Sequence, residues 1–85
     1  MRVTYQAIID SGSWGAPEAT DVHHGTKGDA ESLLDYWVHQ NAAVGGSKEE
    51  VHLLAFLGKH EDVTDMYPDY KVSFGPRSGV RWERL

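Results

Sequence analysis

"GDAESLLDYWVHQNAA" at residues 28–43 decides the fold, because its apolar residues recur at three- and four-residue steps while the rest of the chain alternates. Ala30, Leu33, Leu34, Trp37, Val38 and Asn41 or Ala42 fall on one face of a helix; Glu31, Asp35, Tyr36, His39 and Gln40 fill the other. Thr26 or Asp29 is placed to cap its start, and Thr26-x-x-Asp29 resembles a capping box with the shorter acid in place of Glu. Asp29 and Glu31 in the first turn suit the positive end of the helix dipole. Gly45-Gly46 predicts the stop. The acids at the helix start are therefore accounted for without any catalytic role.

On either side of the helix the period is two. In "RVTYQAIID" (2–10), Val3, Tyr5, Ala7 and Ile9 alternate with Thr4, Gln6, Ile8 and Asp10, which predicts a strand with the first set facing the core. "SGSWGAP" (11–17) is a loop, punctuated by Gly12, Gly15 and Pro17. "EATDVHHG" (18–25) reads as a polar strand suited to a sheet edge. "EVHLLAFLG" (50–58) is apolar on both alternating faces, as a central strand would be. "KHEDVTDMYPD" (59–69) is a polar connection with room for a single turn near Val63–Met66. "YKVSFGPRSGVRWERL" (70–85) reads as a hairpin turning at "GPRSG" (75–79), with Tyr70, Val72 and Phe74 on one arm and Val80 and Trp82 on the other.

The sum is one α+β domain over residues 1–85, in two layers and in the order β-β-α-β-β-β: a single helix packed on a mostly antiparallel sheet. One helix covers one sheet face. Ile8, Leu54 and Phe56 belong to the other face, so either the loops 11–17 and 59–69 cover it or a partner does.

Composition narrows the function. The chain of 85 residues has no cysteine, which excludes disulfide stapling and thiolate chemistry. Its start, "MRVTYQAIID", lacks the continuous apolar segment of a signal peptide, and the longest apolar run, "LLAFL" (53–57), is far short of the ~20 residues that span a bilayer. A cytoplasmic protein with no membrane partner is expected. The net charge of −5 is uneven. Residues 1–68 hold four cations against eleven acids, and residues 69–85 hold Lys71, Arg77, Arg81 and Arg84 against Asp69 and Glu83. An acidic body repels phosphates, which disfavours nucleic acid as the partner, although the basic tail remains able to meet an anion.

Five histidines, His23, His24, His39, His52 and His60, raise the question of a metal site. Neither His-x3-His on the helix nor His-x-His on a strand occurs, and alternation sends His23 and His24 to opposite faces. His52 would stand beside one of them only if their strands were neighbours. His39, one turn from Asp35, is an ordinary surface pair. No serine occupies a Gly-x-Ser-x-Gly elbow, and "GGSKEE" (45–50) lacks the spacing of a phosphate loop. No catalytic residue, metal or cofactor is expected, and the chain is not expected to be an enzyme.

The aromatic and basic residues point instead to recognition. Trp14, Tyr70, Arg77, Arg81 and Trp82 are the residue types that anchor interfaces, and they lie in a loop or on the terminal hairpin. The first strand and loop, the Gly25-Thr26 turn, the "AESLLDYWV" helix (30–38) and the following apolar strand together resemble small uncharacterised proteins encoded by actinobacterial phages and their hosts. The resemblance spans residues 2–58, carries over no functional residue, and implies an accessory protein that binds a host component. The function expected is thus a small non-catalytic protein-binding module, in the terms of the resemblance a phage accessory factor that binds and modulates a host protein. Self-association into a homodimer through an edge strand or the open sheet face is part of that expectation. The alternatives are a nucleic-acid-associated protein using the basic hairpin with Trp82 or Tyr70 for stacking, and a histidine metal binder or metal-dependent enzyme.

Overall fold

The structure, a computed structural model, describes residues 1–10, 17–75 and 79–85. Strands β1 (Arg2–Ile9), β2 (Glu18–Thr26), β3 (Val51–Leu57), β4 (Tyr70–Gly75) and β5 (Gly79–Arg84) form one sheet in the order β2-β1-β3-β4-β5. Every pairing is antiparallel. The two-layer α+β architecture expected from the sequence is present, with the apolar strand β3 at the centre and the polar β2 at an edge. β2 and β3 both run against β1 and hence parallel to each other with β1 between them. Such a pair needs a crossover rather than a tight turn, and helix α1 (Lys27–Ala43) supplies it.

The helix follows β2 without a linker because its cap is built into the strand's last residue. Thr26 Oγ1 accepts from the Asp29 N–H at 3.2 Å, and Asp29 Oδ2 accepts from the Thr26 N–H at 2.9 Å. Gly25 leaves room for this box, since a Cβ there would lie 2.5 Å from Asp29 Oδ2. At the other end Gly45, at φ +91°, donates to the Ala42 carbonyl (3.0 Å) and Gly46 donates to that of Asn41 (2.8 Å), which is the Schellman termination. The apolar stripe drawn from the sequence is the packed face. Ala30 and Leu34 are fully buried against Val3, Tyr5, Ala7, Val51, Leu53, Ala55 and Val72, with Leu33, Trp37 and Val38 at the margin. Asn41, not Ala42, completes the face, where its amide donates to the Ser47 carbonyl and to Glu50 Oε1.

A short 3₁₀ turn, Lys48–Glu50, leads into β3 and was not foreseen. Its cause is a Ser-x-x-Glu reciprocity: the Ser47 N–H donates to Glu50 Oε1 at 2.6 Å while the Glu50 N–H donates to the Ser47 carbonyl.

The sheet face away from α1 carries Thr4, Gln6, Leu54 and Phe56 towards one end, and Ile8, His52, Lys71, Ser73 and Arg81 towards the other. The connection after β3 folds back over the first group. Thr4, with no exposed surface, donates from Oγ1 to the Gly58 carbonyl at 2.8 Å and accepts from the His60 N–H at 2.8 Å. Phe56 is left 2 % exposed and Val63 9 % exposed, and the single turn expected near Val63–Met66 is closed by the Met66 N–H on the Val63 carbonyl. The second face is therefore covered by the chain itself over the Phe56 half, while Ile8, His52, Leu54, Lys71 and Ser73 stay half-buried.

Candidate functional site

Of the five residues expected to bind a partner, Trp14 and Arg77 lie outside the described residues. The other three do not form one patch. Tyr70 and Trp82 stand on the helix face, half-buried against the core margin, with their rings edge-to-face at 5.7 Å. Trp82 Nε1 donates to Glu31 Oε2 at 2.7 Å, and the Lys27 ammonium sits 5.4 Å from its ring centroid. The Arg84 guanidinium sits 5.7 Å from the Tyr70 ring. Arg81 is exposed on the opposite face, across from Ser73. Alternation along β5 puts Arg81 on the face opposite Trp82, while the cations on the aromatic face, Arg84 and Lys27, already lie against the Tyr70 and Trp82 rings.

The histidines divide in the same way. His23 stacks on Tyr5 on the helix face (centroids 5.8 Å apart). His24, on the other face, donates from Nε2 to the His60 carbonyl at 2.5 Å, and His60 donates from Nε2 to the Leu57 carbonyl at 2.7 Å. His52 is a neighbour of Ile8 on β1, one strand removed from the His23–His24 pair. His39 donates to the Asp35 carbonyl and lies 3.6 Å from its carboxylate, both exposed. Among the described residues no three His, Asp or Glu side chains converge as metal ligands would. The ring nitrogens of His24 and His60 that make contacts serve to pin the 58–60 segment onto the sheet.

What the sequence did not disclose is a groove of about 390 Å³ between the sheet and the segment 61–68. Val22, Leu54 and Phe56 form its floor, and Val63, Met66 and Pro68 its wall. Glu61 and Asp62 stand on the rim. The polar groups that line it are largely engaged within the chain. The Gln6 amide donates to the Thr20 carbonyl at 2.9 Å, and Asp62 Oδ1 accepts from both the N–H and the hydroxyl of Thr64. Those two bonds hold the Asp62 carboxyl below the ordinary carboxylate range, so it is a fixed anion rather than a proton donor.

No family model, no curated protein and no solved structure matches the chain. Among the described residues no helix is long and apolar enough to cross a membrane. The groove and the two free sheet edges must therefore be read from their own chemistry.

The titration pattern gives one expected result. Burial, then the Lys71 charge, holds His52 below its ordinary value of 6.5, with Asp10 opposing. As pH falls through 6.5 the unfolded chain takes up a proton that folded His52 still refuses, so stability declines until the folded imidazole titrates. Asp29, lowered by its bonds to Thr26, and Asp62, lowered by its bonds to Thr64, extend the loss below their ordinary value of 3.8. On the alkaline side Tyr5, raised by burial and by the Asp29 charge, favours the folded state only until pH passes about 10. Urea melts across pH should give a plateau from about pH 7 to 9, and His52→Gln should remove the slope just below it. An unchanged slope in His52→Gln would mean another group carries it.

Proposed function

We propose that this protein is a non-catalytic protein-binding module and that the groove beside segment 61–68 receives an extended segment of its partner. The observation that supports this most is the pairing of an apolar floor and wall with an acidic rim whose Asp62 is held ionised. A cleft for general acid–base chemistry keeps a titratable group poised near neutrality and free to move a proton. Here the perturbed carboxylate is pushed the other way and bonded to its own loop. Such a groove suits a short segment with an apolar side chain next to Lys or Arg, which agrees with the acidic body of residues 1–68. The narrower role, a phage accessory factor that binds and modulates a host protein, rests on the sequence resemblance. Nucleic-acid binding by the hairpin is the weaker reading, because the two cations on the aromatic face, Lys27 and Arg84, already lie against the Trp82 and Tyr70 rings, while Arg81 stands on the opposite face.

Selection from a displayed random-peptide library tests this. The parent should enrich peptides with an apolar residue flanked by Lys or Arg. Met66→Lys, on an exposed stretch of the groove wall, should weaken the selected peptides by about tenfold or more without lowering the melting temperature. An acidic consensus, or equal binding by Met66→Lys, would remove the groove from consideration.

A further inference from the structure

The two edges of the sheet differ in how they are protected. β2 is broken by a bulge between its Val22 and Ala19 pairings to β1, where the Thr20 hydroxyl bonds both the N–H and the carbonyl of Ala7. A bulge twists an edge away from further pairing. β5 has no such device. It runs in continuous register with β4 from Gly79 to Arg84, with neither bulge nor proline.

The hydrogen-bond phase shows which of its groups face outward. The Leu85 N–H donates to the Asp69 carbonyl at 3.0 Å, so in this antiparallel pair the bonded positions on β5 are Glu83, Arg81 and Gly79. The N–H and carbonyl groups of Val80, Trp82 and Arg84 therefore point away from the sheet, a row of three donors and three acceptors. Arg81 and Glu83 lie together on the face away from the helix, and neither makes an ion pair among the described residues.

We propose that β5 is a self-association edge, on which two copies of this chain pair antiparallel about a two-fold axis at Trp82. In that register Trp82 faces its own copy and Val80 faces Arg84 of the second chain. All three donors and all three acceptors of each edge are then used. On the other face Arg81 stands opposite Glu83 of the second chain, and Glu83 opposite Arg81, so two attractive pairs form at once. The charges also reject the neighbouring registers that keep the outward groups opposed. An axis at Arg81 sets Arg81 against itself, and an axis at Glu83 sets Glu83 against itself. The pairing is isologous, so it closes at two chains and does not propagate.

The test is a charge exchange read by sedimentation over a range of concentrations. The parent should dimerise reversibly. Glu83→Arg alone and Arg81→Glu alone each place like charges opposite one another and should raise the dimer dissociation constant about tenfold or more. The double variant Arg81→Glu/Glu83→Arg should dimerise like the parent, and a mixture of the two single variants should form a heterodimer that neither forms alone. Both positions are exposed, so the melting temperature of each variant at low concentration should match the parent's. Met66→Lys, in the groove, should dimerise normally. A parent that stays monomeric at the highest concentrations overturns the proposal. So does a dimer indifferent to the single reversals, one not restored by the double exchange, or one lost in Met66→Lys.

Discussion

Leu34→Ala is expected to lower the melting temperature by about 10–30 °C, the largest effect of any single substitution considered. Leu34 is the one large helix side chain with no exposed surface, and it joins the helix to the residues of β1 and β3 beneath it. Truncation removes its transfer free energy and leaves a cavity that a thin core cannot collapse to fill, a loss of about 2–5 kcal/mol. In a domain of this size, which has little stability to spare, that is a large share of the total. Leu33 sits one residue earlier on the half-buried margin, so Leu33→Ala should cost distinctly less. Thermal melts followed by circular dichroism compare the two directly. Equal losses would mean that the helix is rotated about its axis relative to the packing described, with Leu33 sharing the buried position.

The helix and its ends were legible because their causes are local. Thr26 and Asp29 bond each other across three residues, Gly45 takes a conformation that other residues resist, and the stripe from Ala30 to Val38 reports one face. β3 was legible as the central strand because both its faces are apolar. The Ser47–Glu50 turn carried the same kind of local signal as Thr26–Asp29 but lay in a glycine-rich stretch weighed only as a helix stop and against the spacing of a phosphate loop. The place of β1 between β2 and β3 is another matter. It depends on pairing with the next strand, β2, and also with β3 some way along the chain, and nothing in "RVTYQAII" distinguishes a strand paired on both sides from one paired on one.

Site residues chosen by type fared differently from those chosen by period. Alternation separated His23 from His24, and the same rule divides Arg81 from Trp82; grouping the latter two as one surface followed from their chemistry and not from their positions. The groove was hidden for a further reason. Its floor belongs to β2 and β3 and its wall to residues 61–68, and these meet through long-range contacts, among them Thr4 on β1 and His24 on β2 fastening the returning chain.

Thr4→Val should release that fastening. The substitution keeps the shape of the side chain and its burial but deletes the hydroxyl, leaving the Gly58 carbonyl and the His60 N–H without their shared partner. The global cost expected is about 1–3 kcal/mol, the usual penalty for stranding groups at a partly buried site. The local consequence should be larger than the global one. Segment 58–69 is held to the sheet by Thr4, by the His24 contact to the His60 carbonyl and by burial of Val63, so losing the first of these favours opening of the segment without unfolding of the sheet. Lys59 lies in that segment and is exposed, which makes trypsin a direct reporter. Cleavage after Lys59 should accelerate in Thr4→Val beyond what its melting temperature accounts for, and an apolar dye should bind the uncovered Phe56 surface. Thr4→Ser keeps the hydroxyl and gives up the methyl, so it should stay protected at Lys59 while losing some stability. If the serine variant were cleaved faster and the valine variant protected, the methyl contact and not the hydroxyl would be what holds the groove wall in place.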